Sequence, residues 1–447
     1  MSIPDWTYNE ALYKDALASE AVEIVTDPVK GKGLRAKHAI KKGDQVLRER
    51  ALCASQNLDD MNRSIPICAH CLVSLETPRQ IVRRCTSSDE AAAEIPCVST
   101  FRPRHTRRQC RNVRSGCTFV FCSDDCENEA WLRFHRVGCR GGMNSVAQKA
   151  FDAFMAHPWI ANGIDLTDTH ALAWKFACIW IARVRFPCKE NGVSEALPLS
   201  IEIAFLPIAQ LIRAPITKFH FTYLLAEEWE AQELKVTGAK VDRWGHFLRF
   251  KDKPDDNPIV KHAKASGPRT EEVVQTGHEL VSAMLSLTES ERQFFNEIRW
   301  SELLGAVLLN GQERSPNSPY TSEFHDHVCL EGQEIELKKF HRGLRTAGLS
   351  TRDFDTSTRG QGIYAIGACF NHSCLPNIQV SYCERNDETL VVTALRDIEK
   401  GEELCISYID EDAPFEERQQ QLSEHYLFTC CCSKCVVQGV KSTGVTA

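Results

Sequence analysis

Cysteines at short spacing dominate the chemistry open to this sequence. Cys68-Ala-His-Cys71 is one pair; Cys117 and Cys122-Ser-Asp-Asp-Cys126 follow, then His135 and Cys139, and far downstream Cys430-Cys431-Cys432-Ser-Lys-Cys435. Zinc takes four sulfur or nitrogen donors in a tetrahedron, and donors supplied as local pairs lower the entropy of assembling one. The chain holds 21 cysteines, an odd number, in 447 residues. Its start, Met1-Ser-Ile-Pro-Asp-Trp6, has neither the basic stretch nor the apolar core of a secretory signal. Disulfide frameworks belong to small secreted domains, so the expectation is reduced, metal-binding thiols in a nuclear or cytoplasmic protein. Buried free thiols with a surface histidine are the plainer alternative, and the density of pairs weighs against it.

Three further segments hold groups suited to a small ligand. Val29-Lys30-Gly31-Lys32-Gly33-Leu-Arg-Ala36 follows a β-rich run, and its glycines let backbone groups approach a ligand closely, although a hairpin turn would use the same residues. Gly367-Ala-Cys-Phe-Asn371-His372-Ser-Cys374-Leu-Pro-Asn377 is the second, and Gly401-Glu-Glu-Leu-Cys-Ile-Ser-Tyr408, trailed by Tyr426-Leu-Phe428, is the third. Singly each has a bland explanation: an Asx turn at Asn371, a satisfied core histidine at His372, a core tyrosine at Tyr408.

Taken together and in this order, they resemble the SET-domain protein lysine methyltransferases: a GxG segment, NHSCxPN, GEEL-x-ISY and a CxCxxC zinc motif. The cysteine and histidine spacing over 68–139 resembles the MYND zinc finger. The resemblance covers 22–50, 68–139 and 300–435, and within the family it is closest in kind to a short branch without a C-terminal helical-repeat domain, which includes fungal histone H4 lysine methyltransferases. It implies two cross-braced zincs, one held by Cys68, Cys71, Cys122 and Cys126, the other by Cys117, His135 and Cys139. The family's fourth ligand to the second zinc falls on Arg114, so Cys110 is the nearest substitute, with Cys97 and Cys85 behind it. A third zinc is expected at Cys430, Cys432 and Cys435, completed by Cys374, with Cys431 a bystander.

The implied activity is in-line transfer of a methyl group from S-adenosylmethionine to a lysine amine. That amine must be neutral to attack, and burial beside a cation favours the neutral form. The resemblance implies that Tyr408 aligns amine and methyl and that Tyr426 forms an aromatic wall. It implies Asn371, His372, Phe428, Lys30, Gly31, Lys32 and Gly33 as cofactor contacts, with Asn310 as a helix-terminal one. The expected substrate is a basic protein segment, a histone tail or a ribosomal protein. Residues Glu384–Glu424 carry 13 acids against four bases, a surface that would attract such a segment. The competing reading is a non-catalytic zinc adaptor that binds a peptide through the MYND finger, or nucleic acid through six arginines between Arg102 and Arg114. Solvated surface is the favoured account of that arginine run, and nucleic acid is not the favoured partner.

Composition sets the frame for these groups. With 53 Lys+Arg, 60 Asp+Glu, 43% hydrophobic and 25% charged residues, the chain is an ordinary globular one of two to three modules. Its net charge of −7 argues against a DNA-binding regulator. Its most apolar helical run, Phe176–Ala182, is too short to span a membrane and is fenced by Lys175 and Arg183. Strands are expected at Val22–Val25, Leu34–Ala36, Gln45–Leu47, Ile378–Tyr382, Leu390–Leu395 and Leu404–Tyr408, with turns at Lys42-Gly43 and Lys400-Gly401. Helices are expected over Asp168–Trp180, capped by Asp168 or Thr169, over Leu224–Val236, and within Glu279–Leu309 with a cap at Thr288-Glu-Ser-Glu291. Lys251–Glu271 and Ser315–Asp326 read as loops. The fold class is therefore α+β, a β-rich split SET fold interrupted by insertions. Its expected divisions are an N-terminal SET part at 1–60, the finger with its arginine loop at 61–142, and a mostly helical insertion at 143–299. The SET core follows at 300–412 and a post-SET zinc segment and tail at 413–447.

Overall fold

A computed structural model describes residues 17, 20–27, 31–62, 65–77, 80–81, 83–84, 107–161, 164–186, 270–314, 334–346, 348, 360–382, 388–426 and 428–442. Three small sheets form the β-rich part, and each pairs a strand from the first sixty residues with strands beyond residue 310. In the first, β1 (Val22–Asp27) and β2 (Gly31–Ala36) make a hairpin, β14 (Glu403–Ile406) joins β2 antiparallel, and β11 (Asn371–His372) joins β14 in parallel. The second has the order β4 (Cys53–Gln56), β10 (Gly360–Ile363), β9 (Gln312–Arg314), and the third β12 (Ile378–Tyr382), β13 (Thr389–Ala394), β3 (Gln45–Arg50). Val22, Leu34, Leu47, Ile378, Leu390, Val392 and Leu404 close over one core with Tyr364 and Phe370. Each such side chain removed from water contributes about 1.5–3 kcal/mol, which is why strands so distant in sequence meet. Gly43 and Gly401 have φ of +87° and +80°, as the two expected turns require.

The finger holds two two-residue strands, β5 (Arg108–Gln109) and β6 (Val120–Phe121). Short α1 (Leu58–Asn62) precedes it, and α2 (Asp124–Ala130), capped by Ser123, lies within it. Next come α3 (Ser145–Ala156), the small hairpin β7 (Ile160–Ala161) and β8 (Ile164–Asp165), and α4 (Thr167–Arg185). Then follow α5 (Thr270–Met284), α6 (Glu289–Phe294), α7 (Glu297–Asn310) and α8 (Glu334–Thr346), and, after the last sheet strand, α9 (Phe415–Tyr426) and α10 (Ser433–Ser442). The segment 279–309 is thus three helices, and the capping box is present: Glu291 N–H bonds Thr288 Oγ1 while the Glu291 carboxylate accepts the Thr288 N–H. The expected helix at Leu224–Val236 and the loop at Ser315–Asp326 lie outside the described residues, as does Lys251–Glu271 except for Thr270 and Glu271, which begin α5.

Helix α4 is buried on nearly every side, from Thr169 to Ala182, and packs on β4, the finger and α7. Its expected cap is corrected. Neither Asp168 nor Thr169 caps it; Asp165 Oδ1 accepts the Thr167 N–H, and the Asp168 carboxylate instead accepts Asn57 Nδ2 and the N–H of Leu58, the first residue of α1. Lys175, buried in α4, donates to the carbonyls of Ala54 in β4 and Ala69 in the finger and sits 4.4 Å from the Phe134 ring. Burial lowers its pKa. Among the described residues no helix is long and apolar enough to cross a membrane.

Candidate zinc centres and methyl-transfer cleft

Cys68, Cys71, Cys122 and Cys126 form one cluster, Cys110, Cys117, His135 and Cys139 a second, and Cys374, Cys430, Cys432 and Cys435 a third, the donor atoms of each lying within 4.8 Å of one another. A zinc–sulfur bond of about 2.3 Å gives a tetrahedron with sulfur–sulfur edges of about 3.8 Å. The sulfur–sulfur distances scatter about that figure: Cys71–Cys122 is 3.7 Å, Cys122–Cys126 3.3 Å, Cys110–Cys139 3.8 Å, Cys374–Cys430 4.0 Å and Cys374–Cys435 3.5 Å. All these cysteines are free thiols, far outside bonding distance for a disulfide. In chain order the first two clusters alternate, 68 and 71, 110 and 117, 122 and 126, 135 and 139, which is a cross-brace. Among the three substitutes weighed for Arg114, Cys110 stands in the second cluster, its Sγ 3.2 Å from His135 Nε2; Cys97 and Cys85 lie outside the described residues.

His135 has no exposed surface and its Nδ1 no hydrogen-bond partner; its ring stacks on Phe119 at 5.0 Å with Phe121, Trp131 and Phe134 edge-on, an aromatic box that orients it with Nε2 towards the cysteines. Two arginines of the run serve the finger's own structure: Arg111 pairs with Glu127 and lies 4.5 Å over Trp131, and Arg108 pairs with Asp124 at 3.2 Å; Arg102 and Arg104 lie outside the described residues. Cys431 is exposed and outside the third cluster. Arg418, 1% exposed, points Nε at Cys374 Sγ (3.4 Å) and Nη2 at Cys435 Sγ (3.7 Å). Four thiolates on one Zn²⁺ leave a net charge of −2, and this guanidinium offsets half of it.

Strand order in the first sheet brings the three motif segments together. β14 lies between β2 and β11, so Gly33, Asn371 and Glu403 meet: Asn371 Nδ2 donates to Glu403 Oε1 at 2.7 Å, and a Cβ on Gly33 would fall 2.8 Å from that same nitrogen. Asn377 laces the crossing, accepting the Cys405 N–H at 2.8 Å and donating to the Glu403 carbonyl at 2.8 Å. His372 Nδ1 accepts the Tyr408 N–H at 3.0 Å, and its Nε2 lies 3.3 Å from Cys374 Sγ, so the imidazole joins the third zinc cluster to the tyrosine.

A cleft of about 690 Å³ opens beside this crossing. Tyr408, Tyr426, Asn310, Phe370 and Glu411 are among its walls. The Tyr408 hydroxyl donates to the Phe370 carbonyl at 2.5 Å, the Tyr426 hydroxyl donates to the Tyr408 carbonyl at 3.3 Å, and the two rings are 4.9 Å apart. Burial raises both phenol pKa values, Tyr408 well above the usual range, so both stay neutral donors at physiological pH. Asn310, at the end of α7, is buried and donates Nδ2 to the Ala306 carbonyl. Phe428 stands 5.9 Å from His372, while Gly31 and Lys32 lie in β2 and Lys30 is outside the described residues.

The SET domain family matches this chain over residues 31–409, that is 379 of 447 residues. The chain belongs to the SET-domain family. Among relatives it is 28% identical over 437 residues to the protein-lysine N-trimethyltransferase SMYD5 of Danio rerio, covering 95% of this chain and 89% of that one. It is 26% identical to the Homo sapiens SMYD5 over 436 residues (95% of this chain, 88% of that one). To the histone-lysine N-methyltransferase ATXR2 of Arabidopsis thaliana it is 28% identical over 330 residues, 72% of this chain and 61% of that one. The α+β SET fold expected from the sequence is the one observed, with three sites of zinc chemistry. Sequence reasoning passed over Glu403, Asn377 and Arg418 in this SET protein. Glu403 and Asn377 stand inside quoted motifs, where their polar side chains were a usable signal; Arg418 sits in an ordinary charged helix and carried none.

Proposed function

We propose that this SET protein is a protein-lysine N-methyltransferase acting on basic protein segments, histone H4-like or ribosomal. The observation that carries the reading is Tyr408, held at both ends, by the Phe370 carbonyl at its hydroxyl and by His372 at its N–H, in the wall of a cleft also lined by Phe370, the residue before Asn371. S-adenosylmethionine supplies, when bound, a methyl group activated on a sulfonium. The residues that would hold it are Gly31 and Gly33 through their backbones, Asn371 by its amide, Asn310 from the end of α7 and Phe428 by its ring. The His372 ring is already engaged at both nitrogens, so that residue would serve through its main chain.

Tyr408 and Tyr426 then act as neutral walls that orient the lysine amine, exclude water and favour its uncharged form. Neither phenol takes the proton, since burial keeps both from ionising. Glu411 borders the cleft, with Asp410 and Asp412 beside it in the chain, which suits a substrate with further basic residues beside the target. The names of the SMYD5 and ATXR2 relatives support lysine as the acceptor. A nuclear or cytoplasmic setting accords with zinc-bound thiols. An adaptor would have no use for a tyrosine so placed.

The test is transfer of labelled methyl from S-adenosylmethionine to separated histones and ribosomal proteins, wild type against Tyr408→Phe. Label on a discrete band, lost in the variant while cofactor binding persists, is the expected result. Absence of both label and cofactor binding would put the adaptor reading first.

A further inference from the structure

Glu49 reaches from β3 into the turn that carries one wall of the cleft. Its Oε1 accepts the Ile366 N–H at 2.9 Å and its Oε2 accepts the Gly367 N–H at 2.8 Å. Gly367–Cys369 then make one short 3-10 turn, and Gly367, Ala368 and Phe370 all border the cleft. The same Phe370 offers its carbonyl to the Tyr408 hydroxyl. We infer that Glu49 is a positioning residue for methyl transfer: its carboxylate clamps the backbone of Ile366 and Gly367 and thereby sets where the Phe370 carbonyl holds the Tyr408 hydroxyl. The inference rests on the methyltransferase reading above.

The clamp needs the ionised carboxylate, because both oxygens accept; protonation turns one of them into a donor facing an N–H. The surroundings do little to keep it ionised. Arg48 and Arg50 alternate to the other face of β3, and Arg50 is bonded to Glu388. Leu390 is the residue opposite in β13. From the turn, Tyr364 gives its hydroxyl to the Glu388 carbonyl and Cys369 points its sulfur at the Ala365 carbonyl. The N-terminal segment adds Glu20, a like charge, while Lys37 is turned to the carbonyls of Leu17 and Glu20. Desolvation pushes the Glu49 pKa up to about 7, the backbone N–H groups of Ile366, Gly367 and Ala365 opposing it. The clamp therefore loosens as pH falls through neutrality.

The experiment is turnover on purified histone H4 and on total ribosomal protein from about pH 6 to about pH 9, with the full chain and the variants Glu49→Gln and Glu20→Gln. Proton loss from the substrate lysine alone gives about a tenfold rise per pH unit, and the clamp should add a second slope below about pH 7, approaching a hundredfold per unit. Glu49→Gln should turn over roughly tenfold more slowly at pH 8 and lose that second slope, with cofactor affinity within about twofold. Glu20→Gln, which removes the like charge and leaves the turn untouched, should move the second slope to lower pH; this variant and the wild-type profile carry the test if Glu49→Gln does not fold. A single slope in the wild type, or Glu49→Gln matching it at pH 8, would overturn the inference alone. No methyl transfer at any pH would overturn the methyltransferase reading and the inference with it.

Discussion

Replacing Gly33 with alanine probes the cofactor cradle by a single methyl group. The new Cβ would lie 2.8 Å from Asn371 Nδ2 and 3.3 Å from Glu403 Oε1, where ordinary contacts begin at 3.4 Å. The amide must retreat by about 0.6 Å, and it moves against its own 2.7 Å hydrogen bond to Glu403. A hydrogen bond to a carboxylate is worth roughly 1.5–3 kcal/mol, and its loss misplaces the amide that the cofactor would use. At about 1.4 kcal/mol per tenfold, affinity for S-adenosylmethionine should fall roughly ten- to hundredfold. Titration calorimetry with S-adenosylmethionine and with S-adenosylhomocysteine reads this directly, and a melting curve confirms that the variant is folded. The reasoning also predicts its own rescue. On an Asn371→Ala background the methyl has room, so adding Gly33→Ala should cost less than about threefold more. Equal losses on both backgrounds, or unchanged affinity in the single variant, would refute the account.

Arg418→Met should weaken the third zinc centre without touching a ligand: bound zinc should fall from three equivalents towards two under mild chelation, read by a colorimetric zinc assay, with the finger's two retained. Lys175→Met removes the donor that Lys175 gives to the Ala54 and Ala69 carbonyls, so thermal unfolding should show a loss of about 2 kcal/mol. His170 is fully buried and desolvation pushes its pKa down to about 3. The unfolded imidazole takes its proton from about pH 6.5 downwards, so the fold loses stability as pH falls between about 6.5 and 3, by about 2 kcal/mol at pH 5. Denaturant titrations at pH 7 and pH 5 would check the sign, and His170→Phe should remove that part of the slope.

Much of the metal chemistry was legible from local spacing. Two cysteines three or four positions apart can reach one ion whatever the rest of the fold does, and the cap at Thr288 and Glu291 or the turn glycines at Gly43 and Gly401 are decided within a few residues in the same way. Asn371, His372 and Tyr408 could be singled out because they stand in short motifs. Their mutual geometry could not. The choice of Cys110 depends on how the finger folds back on His135, and Asp168 serves α1 rather than its own helix because packing brings Leu58 to it. The Gly33–Asn371–Glu403 cradle, the Arg418 guanidinium on two zinc thiolates and the Glu49 clamp on Gly367 join groups up to some hundreds of residues apart. The cradle and the Glu49 clamp arise when the sheets close over Leu34, Leu390 and Leu404, and the Arg418 contacts when Leu422 of α9 packs with Cys374, Cys430 and Cys435; hydrophobic burial carries no label naming which polar groups it will set side by side.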